Sequence, residues 1–280
     1  MPQPPENLRN FSSLVKVVED LRGPEGCPWD KEQTNRSLTP YALEESCELA
    51  EAIESGQTTE IISELGDLLL QVVLHAEILK NEGRGEIEDV IEAINSKMIR
   101  RHPHVFADLS VANSDEVLKN WDQIKAQEKG DNNPLRPGEF EVPKSLPALQ
   151  RSAKIGKKTK KTGFDWSNWK EVIPKVKEEL SELEEALESF PTENIDEAQG
   201  SQKSHVEHEI GDLLFAISQL ARHLKVDPEQ ALRRTNQRFE KRYKTMIDIC
   251  EENQQDFTQL DVNSKEELWG KAKSRLKGHE

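Results

Sequence analysis

The sequence predicts an all-α protein built from two tandem helical-bundle modules. Apolar residues recur at the helical period, and no segment alternates convincingly as a strand would. Aromatic residues make up only 5% of the chain, fewer than a β-sandwich core usually contains. A short motif occurs twice, as "ELGDLL" at 64–69 and "EIGDLL" at 209–214. A chain of 280 residues has room for two modules.

The repetition extends well beyond this hexapeptide. Four further matches keep the same order in both halves: "GCPWD" (26–30) with "GFDWS" (163–167), "LEESCEL" (43–49) with "KEELSEL" (177–183), "NSKMIRR" (95–101) with "NQRFEKR" (236–242), and "NWDQIK" (120–125) with "LWGKAK" (268–273). Ordered matches of this kind indicate an internal duplication. We therefore predict an N-terminal module over residues 1–129, a proline-rich linker over 130–146 and a C-terminal module over 147–280.

Hydrophobic periodicity predicts five helices in each module. They lie near 8–22, 38–55, 58–81, 86–101 and 114–129, and near 147–161, 168–189, 204–225, 228–252 and 264–277. Thr39 and Asp227 each precede a proline and are expected to be N-caps, and Ser264 with Glu267 is expected to form a capping box. The polar residues 189–205 are expected to be a loop inserted in the second copy.

Charge and composition exclude several classes of function. The formal net charge is −15, so the chain repels nucleic-acid backbones, and no direct nucleic-acid binding is expected. No uncharged run reaches membrane-spanning length, and the N-terminus has no apolar signal core. The three cysteines are far apart and form no CxxC motif, which is typical of reduced thiols. These features predict a cytoplasmic protein without a membrane partner.

Each module carries two acidic pairs whose members are three residues apart. The pairs are Glu45 with Glu48 and Glu64 with Asp67 in the first module, and Glu179 with Glu182 and Glu209 with Asp212 in the second. Members of such a pair share a helix face, so antiparallel packing of two helices would bring four carboxylates together. Clustered carboxylates raise one another's pKa unless a cation offsets their charge, and oxygen-only ligands select Mg²⁺ or Mn²⁺.

Three further observations bear on this metal hypothesis. Acidic residues on helices are commonly solvent-facing charges, and only the ordered duplication favours the metal site over that alternative. Gly66 and Gly211 stand in both hexapeptides, and close helix approach would explain them. His205 and His208 flank Glu209 but do not form a Glu-x-x-His motif, so we treat them as incidental.

Basic and aromatic residues follow the acidic helices in both modules. They are Lys97, Arg101, Trp121 and Lys125 in the first module, and Arg238, Arg242, Trp269 and Lys273 in the second. Arg and Lys bind phosphate oxygens, and a Trp face can stack on a base. This set suits a nucleoside polyphosphate. The alternatives are an exposed basic helix face and core packing of each Trp. The basic stretch "KIGKKTKKTGFDW" (154–166) is either a solubilising helix end or a rim that attracts an anionic substrate.

These motifs, together with "GCPWDKEQT" (26–34), "RRHPHVFAD" (100–108) and "SLPAL" (145–149), resemble the two-module MazG family. That family consists of nucleoside triphosphate pyrophosphohydrolases in the all-α superfamily that includes dimeric dUTPases. The resemblance implies homodimers, Mg²⁺, and hydrolysis of NTPs and dNTPs to the monophosphate and pyrophosphate. It assigns the second copy's four acidic residues to the metal and its two arginines, Trp269 and Lys273 to the substrate. The first copy carries matching residues, and the second copy is favoured as the main active one.

The expected reaction needs a base for the attacking water, and Glu178 or Glu179 is the candidate. Little in the motifs reads base edges, so broad nucleotide specificity and a role in cleaning the nucleotide pool are expected. Two other classes stay open. One is a regulatory protein in which one or both modules sense nucleotides without turnover, and the other is a purely structural helical dimer.

Overall fold

The computed structural model of the chain describes residues 1–128, 141–192, 195 and 200–277, without the side chains of residues 122 and 126. Within these residues the secondary structure consists of twelve α-helices and one short 3-10 helix, with no strand. The all-α prediction is therefore confirmed. The chain divides into two compact units, Met1–Pro134 and Leu135–Glu280. The predicted linker falls largely outside the described residues, so its bounds stay a prediction.

The described residues of unit 1 form seven helices. They are α1 (Phe11–Arg22), α2 (Pro28–Glu32), α3 (Thr39–Ser55), α4 (Thr58–Asn81), α5 (Ile87–Arg101), α6 (Pro103–Phe106) and α7 (Ser114–Glu128). The five long helices match the predicted ones within three residues over the described part of the chain. Helices α2 and α6 were not predicted, because five and four residues are too few to show a helical period.

A helical hairpin of α3 and α4 positions the acidic pairs of unit 1. The two helices pack against each other and are joined only by Gly56 and Gln57. Gly56 adopts a left-handed conformation (φ 74°) that ends α3, which a residue without Cβ does at little cost. Helix α1 packs on the other side of α4, where Val18, Val73 and Leu74 belong to one apolar core. This hairpin brings the acidic face of α3 beside that of α4.

Unit 2 repeats this plan, with five α-helices over the part of it that the structure describes. They are α8 (Ala148–Lys161), α9 (Trp169–Glu188), α10 (Gly200–His223), α11 (Pro228–Glu252) and α12 (Val262–Leu276), with a 3-10 helix at Phe257–Gln259. Helix α10 packs against both α8 and α9, as α4 packs against α1 and α3. Helices α11 and α12 pack on each other around Met246, Cys250 and Leu268. The duplicated motifs therefore occupy equivalent elements in the two units.

Three predicted helix starts differ from the structure, and one is confirmed. Thr39 is the first residue of α3 rather than its cap, and its hydroxyl donates to the Asn35 carbonyl at 3.2 Å. Helix α12 is capped by Asp261, which accepts from the Ser264 amide at 2.7 Å, so the predicted capping box is wrong. Helix α10 begins at Gly200 and shortens the predicted loop. Asp227 does cap α11, by accepting from the Gln230 amide at 3.0 Å.

The structural explanation expected for Gly66 and Gly211 is also wrong. A Cβ placed on either glycine would have no heavy atom outside its own surroundings within 4 Å. Close helix approach within a unit therefore does not explain these glycines. Among the described helices, none combines the length and the apolar character needed to cross a membrane.

Candidate metal and nucleotide site

The carboxylates of unit 2 converge where α9 crosses α10. One oxygen each of Glu179, Glu182 and Glu209 lies within 4.8 Å of the others. A second group of the same size joins Glu209 to Asp212 and His208. Glu179 and Glu209 are buried, with 5% and 8% exposure, whereas Glu182 is exposed. All four acidic residues predicted from the sequence therefore meet around Glu209.

A lysine that the sequence analysis did not consider lies beside this cluster. The Nζ atom of Lys175 is 2.8 Å from an oxygen of Glu178 and 2.8 Å from an oxygen of Glu179. Its hydrogen bonds to Glu178 and Glu179 raise the pKa of Lys175. The pKa of Glu182 is also raised, first by loss of solvent and then by its hydrogen bond to Glu179. The spacing of Lys175, three and four residues before these glutamates, was the available signal.

Two histidines reach the same carboxylates. His208 Nδ1 is 3.2 Å from an Asp212 oxygen and 3.4 Å from Glu209 Oε1. His205 Nδ1 is also 3.4 Å from Glu209 Oε1, one helical turn earlier. Both side chains are exposed at the edge of the cluster. The structure thus places at the site two residues that the sequence analysis treated as incidental, and an imidazole nitrogen joins the oxygen donors.

Unit 1 contains a matching cluster on α3 and α4. Oxygens of Glu45, Glu48 and Glu64 lie within 4.8 Å of one another. Asp67 lies outside this group of three, yet its charge raises the pKa of both Glu45 and Glu64. For each of these two groups burial is the largest cause of the raised pKa. The amide of Gln71 donates to Glu45 Oε1 across 3.5 Å and partly offsets the effect on that residue.

The basic residues of unit 1 do not all face this cluster. The guanidinium of Arg101 forms a bidentate pair with the Glu128 carboxylate of α7, and this pair holds the pKa of Glu128 at about 2. The ring of Trp121 lies 5.8 Å from the ring of His102, and the Lys125 ammonium lies 4.5 Å from the indole centroid. Lys97 is half-buried on α5. The substrate roles predicted for these four residues stay predictions.

The corresponding residues of unit 2 have different surroundings. The Arg242 guanidinium lies 5.9 Å from the Trp269 ring, which packs against Phe239 and the core of α11 and α12. Arg238 is exposed and donates to Thr235 Oγ1 at 2.9 Å. Lys273 is exposed one turn after Trp269. Part of the Trp269 ring therefore packs in the core, as the alternative interpretation of the Trp residues predicted. Arg238 and Lys273 lie on accessible helix faces, whereas Arg242 is half-buried.

The donor sets fit a divalent cation. Each unit brings three carboxylates within 4.8 Å of one another, and in unit 2 the imidazole nitrogen of His208 lies beside Glu209 and Asp212. Loss of solvent is the largest cause of the raised pKa values of Glu45, Glu64 and Glu182, and the negative charge of neighbouring carboxylates raises these pKa values further. A hard divalent ion offsets such charge and prefers oxygen ligands. Both clusters can therefore hold a metal ion.

Comparison with known proteins decides the family. The model of the MazG nucleotide pyrophosphohydrolase domain matches the chain twice, at residues 33–106 and 168–247. The chain belongs to the MazG family. The two MazG segments contain both carboxylate clusters and the basic residues of α5 and α11. Helices α7, α8 and α12 lie outside them.

Curated relatives resemble the MazG chain over most of its length. It is 43% identical over 263 residues to the nucleoside triphosphate pyrophosphohydrolase/pyrophosphatase MazG of Thermotoga maritima, covering 94% of this chain and 95% of that protein. It is 41% identical over 268 residues to the nucleoside triphosphate pyrophosphohydrolase of Escherichia coli K12, covering 95% and 98%. The uncharacterized protein YabN of Bacillus subtilis 168 is 41% identical over 263 residues, which are 94% of this chain and 51% of YabN.

Proposed function

We propose that this chain hydrolyses nucleoside triphosphates, both NTPs and dNTPs, to the monophosphate and pyrophosphate with broad base specificity. The observation that carries the proposal is the meeting of Glu179, Glu182 and Glu209 within 4.8 Å, in a chain related to proteins named for this activity. We propose Mg²⁺ as the metal, with Mn²⁺ as a substitute, because the ligands are mainly carboxylate oxygens. Unit 2 is the proposed active unit.

Some residues of unit 2 would hold the metal ion, and another would accept a proton. Glu179, Glu182, Glu209 and Asp212 would hold Mg²⁺, which supplies charge neutralisation and Lewis-acid polarisation to the triphosphate when bound. Glu178 lies outside the two groups of possible ligands and is exposed. Its Oε1 atom is 2.8 Å from Lys175 Nζ. Glu178 is therefore the better candidate than Glu179 for a base, since its carboxylate is not needed as a ligand.

In the proposed step, a water oxygen bonds to the α-phosphorus while the bond from that phosphorus to the α–β bridging oxygen breaks. The water proton passes to a Glu178 carboxylate oxygen, and pyrophosphate leaves with the bridging oxygen. Arg238, Arg242 and Lys273 would bind the phosphate oxygens, because fixed cations stabilise charge that develops on the leaving group. Hydrolysis thereby requires both the carboxylates of α9 and α10 and the cations of α11 and α12.

Pyrophosphate release from dNTPs tests this assignment in wild type, Glu182→Ala and Glu48→Ala. Loss of a metal ligand in unit 2 should lower activity about 100-fold or more. Even the mutation of a residue that only hydrogen-bonds to a metal ligand lowers metal affinity or activity about 10- to 100-fold. The matched change in unit 1, Glu48→Ala, should leave most of the activity. Equal activity in all three proteins would refute the site. Nucleotide binding without any pyrophosphate release would instead support the nucleotide-sensing alternative.

We also propose that the chain forms a homodimer. Ile210, Leu214 and Ile217 are exposed on α10 at the spacing i, i+4 and i+7, which places them on one face. Contiguous exposed apolar surface of this kind is typical of an association site. Sedimentation equilibrium should give twice the chain mass, and the mass of one chain at micromolar concentration would contradict the proposal.

A further inference from the structure

A histidine of α10 lies beside two carboxylates of unit 2, and the proposed reaction gives it no role. His208 Nδ1 is 3.2 Å from Asp212 Oδ2 and 3.4 Å from Glu209 Oε1. One donor atom of each of these three residues lies within 4.8 Å of the others. Among the groups of candidate metal ligands in the described residues, this group alone contains a nitrogen atom. His208 therefore adds nitrogen to a cluster that otherwise offers only oxygen.

The spacing of these residues along α10 suits the binding of one ion. His208 and Asp212 are four residues apart, so their side chains leave the same helix face one turn apart. The same spacing lets the two histidines of an HExxH helix bind one zinc ion. Glu209 is 8% exposed, whereas the side chain of His208 is 73% exposed. An ion at this place would contact a buried carboxylate on one side and accessible side chains on the other.

The distances between the donor atoms also suit one ion. Zinc binds nitrogen and oxygen ligands at about 2.0–2.2 Å. Two ligands at about 2.1 Å are about 3.0 Å apart at octahedral angles and about 3.4 Å apart at tetrahedral angles. The separations of His208 Nδ1 from its two neighbours, 3.2 Å and 3.4 Å, lie in this range. The longer one exceeds the roughly 2.7–3.2 Å of an N–H···O hydrogen bond.

Unit 1 has no nitrogen donor at the equivalent position. By the repeat, His208 corresponds to Ser63, four residues before Asp67. The group of candidate ligands in the described part of unit 1 consists of three glutamates. Ligand sets made only of oxygen suit Mg²⁺, whereas imidazole suits transition ions such as Zn²⁺ and Ni²⁺. The two units therefore differ in the ions that their ligands favour.

We propose that His208, Glu209 and Asp212 form a site for a first-row transition ion, with Zn²⁺ as the probe, and that this site gives unit 2 a metal preference that unit 1 lacks. The inference goes beyond the proposed function, which needs only Mg²⁺ on carboxylate oxygens. It depends on a residue that the repeat does not duplicate. Because Glu209 and Asp212 are also proposed ligands of Mg²⁺, the two kinds of ion share ligands in unit 2.

Zinc binding at equilibrium, measured on the full chain without nucleotide by competition with a chelating indicator, tests the site. His208→Gln should weaken Zn²⁺ binding at least about 10-fold, since even changes to residues that only hydrogen-bond to a ligand cost about 10- to 100-fold. Mg²⁺ affinity should change less than about twofold, because Mg²⁺ prefers oxygen ligands. In the wild type, Zn²⁺ should also shift the ¹⁵N NMR signals of the His208 ring, which reports binding to that ring directly.

His205→Gln is the matched control on the same helix. His205 Nδ1 is also 3.4 Å from Glu209 Oε1 and its side chain is exposed, but His205 lies outside the group of three. This variant should change Zn²⁺ affinity less than about threefold. His104→Gln is a second control, because His102 and His104 of unit 1 lie close together, with ring centroids 5.6 Å apart. It should leave Zn²⁺ affinity unchanged.

Each outcome decides the proposal. Unchanged Zn²⁺ affinity in His208→Gln would overturn it, and so would a loss of the same size in either control. Equal weakening of Zn²⁺ and Mg²⁺ would overturn the difference in metal preference. The exposed side chain of His208 makes a folding defect in the variant unexpected, and circular dichroism checks this. If the wild type binds Zn²⁺ through His208 but releases no pyrophosphate from dNTPs, the proposed function fails and the transition-ion site stands.

Discussion

The two units place the same acidic pairs on equivalent helices but surround them differently. In unit 1 the helix that carries Glu64 contacts α1 through Val73 and Leu74, which are fully apolar. In unit 2 the equivalent positions hold Ser218 and Gln219, which are 0% and 1% exposed and bond to α8. The duplicated hairpin therefore packs on the apolar face of α1 in unit 1, whereas in unit 2 it packs on α8 partly through hydrogen bonds.

This difference separates the features that the two units share from those that distinguish them. The group of three carboxylates is present in both units, so it does not depend on whether the helix beside it is α1 or α8. Arg101 of unit 1 is bound to Glu128, whereas its counterpart in unit 2, Arg242, lies 5.9 Å from the Trp269 ring. Unit 2 also has a cavity of about 300 Å³ between α8 and α10, lined in part by Phe164, Trp166 and Phe215. We infer that both units bind a divalent ion and that unit 2 has the better substrate site. The predictions below test this asymmetry.

The largest expected effect concerns Gly156, whose counterpart in unit 1 is Glu19. A Cβ on Gly156 would lie 1.9 Å from Gln219 Oε1 and 2.6 Å from Arg222 Nε, so the buried network must shift. Gly156→Ala should lower the free energy of unfolding by about 1–3 kcal/mol, the usual cost of overpacking. Gly211→Ala is the control on the same unit. It meets nothing within 4 Å and should stabilise its helix by about 0.5–1 kcal/mol.

Urea unfolding followed by circular dichroism measures both variants. Opposite signs for the two glycines would support the tight contact between α8 and α10. A neutral or stabilising Gly156→Ala would show that the network around Gln219 is loose, and the contrast with unit 1 would then lose its structural basis.

A smaller effect is expected from Asp165, which has Pro28 as its counterpart in unit 1. Hydrogen bonds from Arg222 and then His223 hold the pKa of Asp165 at about 2, below its ordinary value of about 3.9. A lowered carboxyl pKa stabilises the fold above the ordinary value, and this contribution is lost as the pH falls towards 2. Asp165→Asn should therefore cost on the order of 1 kcal/mol at pH 7 and reduce the loss of stability between about pH 4 and 2.

Thermal unfolding across this pH range is the measurement. The exposed Asp108→Asn in unit 1 is the control, and it should keep the wild-type pH profile. An Asp165→Asn profile parallel to that of the wild type would contradict the role assigned to the buried network.

The smallest effect concerns the ion pair between Arg101 and Glu128. In a Glu182→Ala background, which silences unit 2, Glu128→Gln should release Arg101 for phosphate oxygens. Tripolyphosphate binding by unit 1 should then strengthen by about threefold to tenfold, as expected for one charge-assisted contact. Unchanged affinity, measured by titration calorimetry, would show that the Arg101–Glu128 pair is not what separates the two units.

The sequence predicted the features that depend on local periodicity. Long amphipathic helices such as α4 and α11 leave a clear pattern, and residues three apart on them must share a face. The spacing of the acidic pairs was therefore sufficient to assign them to one cluster per unit. Helix starts were less certain because several polar residues compete for the cap, as Asp261 and Ser264 do before α12.

Contacts between distant segments could not be predicted in the same way. Asp165 meets Arg222 across 57 residues, and Arg101 meets Glu128 across 27, without any local motif. The cavity depends on Gly156 and Phe215, which become neighbours only when α8 packs on α10. Lys175 is the exception, because its spacing from Glu178 and Glu179 was visible in the sequence.

The most direct measurement is Mg²⁺ binding at equilibrium, by titration calorimetry, to wild type, Glu48→Ala and Glu182→Ala. The two carboxylate clusters predict two classes of site in the wild type. Glu48→Ala should remove one class and Glu182→Ala the other, with folding unchanged by circular dichroism. A wild type that binds no Mg²⁺, or the same stoichiometry in all three proteins, would contradict the claim that these carboxylates hold a metal ion.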